Sequence, residues 1–259
     1  MPFATWHDLY ASDLQGVVAV AIVPALFLVY LARHEPSEQA AVVPTAVRFM
    51  QAYAVVFAVL TLVDPVAGGP LLRLLGVADA PLAAVEAIAF VVLGDFRVYL
   101  LIFTLASHAG SRHEARAADP LHAASDVLQL LRPRALAAAG LATLVVPAVA
   151  FGIDRGLRAR MPGLPDQTLW LIYELAFVAV ALVLRGWWVP ARVPALAPRL
   201  HHYLRAVLAY VASYYALWAA ADVAILAGID AGWALRMVPN QLYYAFWVPF
   251  AYWRFFASS

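Results

Sequence analysis

Apolar residues run in seven stretches, at about 14–32, 42–63, 82–106, 135–152, 167–189, 203–228 and 235–257. At roughly 20 residues per crossing, each is long enough to traverse a bilayer as a helix. In hydrocarbon every backbone N–H and C=O must find its partner within the chain, so successive runs of this length fold as helices packed on one another. The reading is an all-α polytopic integral membrane protein, a seven-helix bundle occupying residues 1–259 as one transmembrane domain. The fourth run is the shortest, about 18 residues and near the lower limit for a span. A six-crossing alternative with a re-entrant fourth segment therefore stays open.

Composition agrees with a bilayer setting. Hydrophobic residues make up 65% of the chain and charged residues 13%, against about half and about a quarter in a soluble domain. The chain has no cysteine, which excludes disulfides, thiolate metal sites and cysteine nucleophiles. All 17 basic residues are arginine, so Schiff-base chemistry to retinal or pyridoxal phosphate is excluded. A net charge of +1, with the arginines spread over the loops, argues against a nucleic-acid partner.

Seven spans divide the loops into two sets. One set holds ten arginines (Arg33, Arg112, Arg116, Arg132, Arg134, Arg185, Arg192, Arg199, Arg205 and Arg254) and the other five (Arg73, Arg155, Arg158, Arg160 and Arg236). The positive-inside rule then places the N-terminus outside and the C-terminus in the cytoplasm. Met1 to Asp13 has no basic stretch ahead of the first apolar run, so that run is expected to stay attached as a span. Trp6, Trp187, Trp188, Trp233 and Trp253 fall near helix ends and read as interfacial anchors. Arginine-for-lysine and alanine-rich usage points to a GC-rich bacterial genome and a bacterial inner (plasma) membrane.

The longest loop, about 107–134, is cytoplasmic in this topology. Asp119-Pro120 suits a helix start, and Leu121, Ala124, Leu128 and Leu131 recur at helical spacing. A helix lying on the inner leaflet is expected there, with the loop as a possible docking site for a protein partner. His122 and Asp126 have the spacing of a metal pair, although a solvated loop is the commoner meaning of such residues. Pro190, Pro194 and Pro198 are expected to interrupt the connection between the fifth and sixth helices.

Ionisable residues at bilayer depth cost a few kcal/mol to insert, so they face the bundle and often mark function. Asp95 and Arg97 lie near the middle of the third helix. Two residues apart means about 200° of rotation, so they point to opposite faces. A helix charged on both faces cannot meet lipid, which makes the third helix the central one and requires an acceptor for Arg97 from another helix. Glu86 shares the Arg97 face. Glu174, Asp222 and Asn240 fall in the outer halves of the fifth, sixth and seventh helices. The sixth carries a stripe of Tyr210, Tyr214, Trp218 and Asp222; the seventh repeats Asn240, Tyr244 and Trp247. Leu93-Gly94-Asp95 with Tyr99 echoes Val238-Pro239-Asn240 with Tyr244, the kind of similarity that a repeat-built transporter carries. Pro239 and Pro249 are expected to kink the seventh helix and free carbonyls.

The functional expectation is a polar cavity open to the outside. Glu86, Glu174 and Asp222 stand at its mouth, Asp95 at its base with Arg97 beneath, and Tyr99, Tyr214, Trp218, Asn240 and Tyr244 complete its lining. It suits transport or permeation of a small cation, proton or zwitterionic molecule. Equally, interhelical polar contacts can serve only as glue, at about 0.6 kcal/mol each, which is the reading of a structural or sensory subunit. An intramembrane enzyme acting on a lipid or isoprenoid is the third possibility. The chain contains no H-E-x-x-H, no G-x-S-x-G and no phosphate-cradling glycine loop, so no catalytic residue is named and no metal or cofactor is expected.

Overall fold

The computed structural model describes residues 3–34, 44–76, 81–109, 132–193 and 197–257. Helices account for nearly all of them, and no strand occurs among the described residues. A one-turn helix, Trp6–Tyr10, precedes seven long ones. These are α1 (Leu14–Arg33), α2 (Pro44–Val66, continued by Ala67–Leu71 and Leu72–Leu74), α3 (Pro81–Ala109), α4 (Pro133–Arg160), α5 (Gln167–Arg192), α6 (Pro198–Leu226) and α7 (Ala231–Asn240, Gln241–Phe246 and Trp247–Ala257). Five, namely α1, α2 from Ala46, α4, α5 and α6, are long and apolar enough to cross a membrane. The other two, α3 and α7, carry Asp95 and Arg97, and Arg236, Asn240 and Gln241, respectively.

Side-chain placement is that of a protein solvated by hydrocarbon. Along α1 the exposed large apolar residues are Leu14, Val18, Ile22, Leu26 and Val29, a stripe at helical spacing, while Val20, Pro24 and Phe27 face inward. On α4, Leu141, Leu144, Val145 and Val149 are exposed, and Ala135, Ala139, Thr143, Val146 and Ala150 are buried. In water such faces would be large apolar patches demanding cover. Against acyl chains they need none.

The helices pack as neighbours in sequence, α1 on α2, α3 on α4, α4 on α5, α5 on α6 and α6 on α7, with α7 returning to α1 and α2. From Asp95 to Ala106 every residue of α3 except Phe96 and Phe103 is buried, so this stretch is enclosed on all sides. The α6–α7 connection is tight. Gly228 takes a positive φ of 78° that side chains with a Cβ avoid, and a Cβ on Gly232 would strike Ile225 and the Ala221 carbonyl of α6. This hairpin sets Asp222 of α6 opposite Arg236 of α7.

Several sequence boundaries move. The fourth helix is continuous for 28 residues, about 42 Å at the helical rise, so no re-entrant segment is needed. Its last turns are held by Arg158, whose Nε lies 2.7 Å from Asp154 one turn back and which also donates to the carbonyls of Leu164 and Pro165. α5 runs through Pro190 to Arg192, with the π-helical stretch Leu184–Trp188 immediately before the proline that interrupts its hydrogen-bond ladder. α2 extends beyond residue 63 and ends with Arg73 bonded to Asp13. The expected surface helix, His122 and Asp126 lie outside the described residues.

The N-terminal segment is tied down over one end of the bundle. Thr5 and Asp8 form a reciprocal cap on the first helix, whose hydrogen bonds hold the Asp8 carboxyl below its ordinary value. The Trp6 backbone N–H donates to Asp230 at 2.9 Å, and the rings of His7, edge-on, and Tyr10, tilted, pack against Trp233.

Candidate functional site

At the end of the bundle where the N-terminal segment lies, α3, α5, α6 and α7 part around a cavity of about 400 Å³. This is within the ordinary range for small-molecule sites. The N-terminal ends of α5 and α7 contribute Gln167, Trp170, Trp233 and Arg236, and the N-terminal segment contributes Tyr10. Deeper in stand Tyr173, Glu174, Tyr215, Trp218, Tyr243 and Asp95.

Asp95 is 1% exposed, and both of its oxygens are engaged. Tyr173 of α5 donates to Oδ2 and Tyr215 of α6 to Oδ1, so one carboxylate joins three helices. The rings continue as a curved wall. Tyr173 and Tyr215 have centroids 6.3 Å apart, Tyr215 and Trp218 5.5 Å, and Trp218 and Tyr243 5.2 Å. Trp218 is held by its indole N–H, which donates to Asn240 at 2.8 Å.

A second charged group stands in the cavity wall. Arg236 donates to Asp222, lies 3.6 Å from Glu174 and donates from Nε to the Tyr10 hydroxyl at 3.1 Å. Asp222 is fully buried and Glu174 nearly so, and each keeps one oxygen, Oδ2 and Oε2, without a hydrogen-bond partner. Two carboxylates thus share one guanidinium, an arrangement stable only while the cation stays in place.

Arg97 points the other way. Its guanidinium donates to the Tyr243 carbonyl at 2.5 Å and to Thr61 Oγ1 at 3.3 Å, and lies 4.4 Å from the Tyr243 ring centroid. It lines a separate crevice of about 20 Å³ with Thr61 and Asp64, room for about one water. Tyr243 and Tyr244 border both spaces. Two carbonyls of α7, between its two prolines, are taken from within the protein. In the π-helical stretch Gln241–Phe246, Leu242 accepts from Tyr210 and Tyr243 from Arg97.

No protein-family model, curated protein or solved structure matches this chain. The site therefore rests on its own geometry.

The structure brings Asp95, Glu174, Trp218, Asn240 and Tyr244 together on the cavity, with Asp222 behind it through Arg236. Three residues proposed from sequence stand elsewhere. Arg97 is not beneath Asp95 but across the helix from it. Tyr214 is wholly buried against Tyr210, Tyr243 and Trp247, and Tyr99 packs on Phe103 and Phe177. The side chain of Glu86 lies outside the described residues. Arg236, counted from sequence among loop arginines, is an interior residue of α7, 9% exposed. Tyr173, Tyr215 and Tyr243 went unnoticed, although Tyr214-Tyr215 and Tyr243-Tyr244 are doubled. A one-residue step turns a helix by 100°, and the stripe selected Tyr214 where the cavity uses Tyr215.

Gly94 is the notch that admits Tyr243, since a Cβ there would collide with its phenol. Gly94→Ala is expected to cost about 1–3 kcal/mol, as overpacking of a tight core does. Thermal unfolding in detergent should show the loss. Adding Tyr243→Phe, which removes the colliding hydroxyl, should return part of it; equal, additive losses would show that the two positions do not touch.

Proposed function

We propose that the chain is a seven-span protein, N-terminus outside and C-terminus in the cytoplasm of a bacterial inner membrane, that takes up a small cation or zwitterion through this cavity. Seven spans follow if α3 and α7, the two helices with interior charges, cross together with the five apolar ones that surround them. The orientation draws on arginine distribution, ten against four once Arg236 is moved to the interior. The observation that carries the functional reading is Asp95, a carboxylate at the floor of an aromatic-walled cavity that opens at the N-terminal end. A buried charge used only as glue has no need of a space large enough for a ligand.

Proteoliposomes containing the purified chain should accumulate radiolabelled choline, methylammonium or glycine above empty liposomes, saturably and in mutual competition. A pH-sensitive dye inside the vesicles would register a proton carried in their place. If none of these signals exceeds the empty control, transport is not the function.

One feature favours the sensory-subunit reading. Beyond Asp95 the bundle is closed by Leu101, Ile102 and Leu105 of α3 and Tyr203, Leu204 and Leu208 of α6, all buried. A subunit that binds ligand without passing it would show binding in detergent and no uptake, and would dock its partner through residues 107–134.

A further inference from the structure

We infer that the ligand is a quaternary ammonium, caged by Tyr173, Tyr215 and Trp218 above Asp95. This rests on the cation-binding reading above and narrows it to one chemical class.

The first argument is the state of the carboxylate. A primary ammonium brings three N–H donors and needs acceptors for them when it leaves water. At the cavity floor both Asp95 oxygens already hold a phenol, from Tyr173 and Tyr215. The floor is therefore a negative charge with two of its roughly four acceptor sites already taken. That suits a cation whose charge is spread over methyl groups and which has no N–H to satisfy.

The second is the wall. Eight of the fourteen residues lining the cavity are Tyr or Trp. Aromatic faces attract cations through the ring quadrupole, most strongly when desolvated, and cages of this kind recognise quaternary ammonium groups. Tyr215 adjoins both Tyr173 and Trp218, Tyr173 and Tyr215 bond the carboxylate, and the Tyr215 face not stacked on Phe177 is the one left for a ligand. Tyr243 contributes less, because Arg97 already occupies one of its faces.

The third is charge. Three carboxylates, Asp95, Glu174 and Asp222, stand against two guanidiniums, Arg236 and Arg97. The balance around the cavity calls for a cation.

The test is equilibrium binding of radiolabelled choline to the full chain in detergent, competed by tetramethylammonium, ethanolamine and the neutral isostere 3,3-dimethyl-1-butanol. Choline and tetramethylammonium are expected to bind at least about tenfold tighter than ethanolamine. Trp218→Leu should weaken choline by about tenfold or more, while Trp218→Phe, which also loses the bond to Asn240 but keeps a ring, should retain most of the affinity. Ethanolamine binding as tightly as choline, with Trp218→Leu inert, would overturn the cage and leave the cation reading intact. The neutral isostere matching choline, or no cation binding at all, would overturn both.

Discussion

Asp95→Asn is expected to lower cation affinity by about a hundredfold or more while the protein stays folded. Two unit charges about 4 Å apart interact by roughly 4 kcal/mol at an effective dielectric near 20, and each 1.4 kcal/mol is a factor of ten. The amide keeps the shape of the carboxylate. It can accept from one of Tyr173 and Tyr215 and donate to the oxygen of the other, so the junction of α3, α5 and α6 survives. Choline binding should therefore collapse with little change in the thermal unfolding of the detergent-solubilised protein. Affinity that survives within about threefold would show that the cavity floor is not where the cation sits. Unfolding without Asp95 would instead mark the carboxylate as a structural pin.

Arg236→Met should have the largest effect on stability. Methionine fills much of the same volume, but it leaves Asp222 and Glu174 buried near each other without a counter-ion. Breaking a buried ion pair from one side costs about 3–5 kcal/mol, which for a chain of this size is a fall of roughly 10 °C in apparent Tm. The Asp222→Asn change, added to Arg236→Met, removes one of the stranded charges and should restore most of the loss. A double variant no better than the single one would mean that Arg236 acts through its contacts with Tyr10 and not through charge. The same residue links α7 to the N-terminal segment, so early loosening of residues 3–10 by hydrogen exchange would accompany the fall.

Much of the helical architecture was legible without coordinates, because a long apolar run in hydrocarbon has one backbone solution. The interior placement of Asp95 and Arg97 on opposite faces was equally readable, since the angle between residues two apart is a property of any helix. What they would face was not. Depth alone puts Arg97 beneath Asp95, but the 200° that separates them sends it into another space between α2 and α7. Arg236 looked like a loop residue because it stands almost at the edge of an apolar run. Its burial depends on two carboxylates from α5 and α6 that lie 62 and 14 residues earlier in the chain.

Sequence by itself determined the solvent, the helical class, the order of the segments and the short list of ionisable groups that had to be turned inward. These follow from local chemistry, namely hydropathy, run length and the insertion cost of charge. Only the tertiary structure decided which of two adjacent tyrosines met the Asp95 carboxylate, which arginine joined the cavity and that a space existed at all. Those outcomes depend on how each helix is rotated and spaced against neighbours far away in the chain, and a shift of one residue, 100° of rotation, is enough to exchange a wall residue for a core residue.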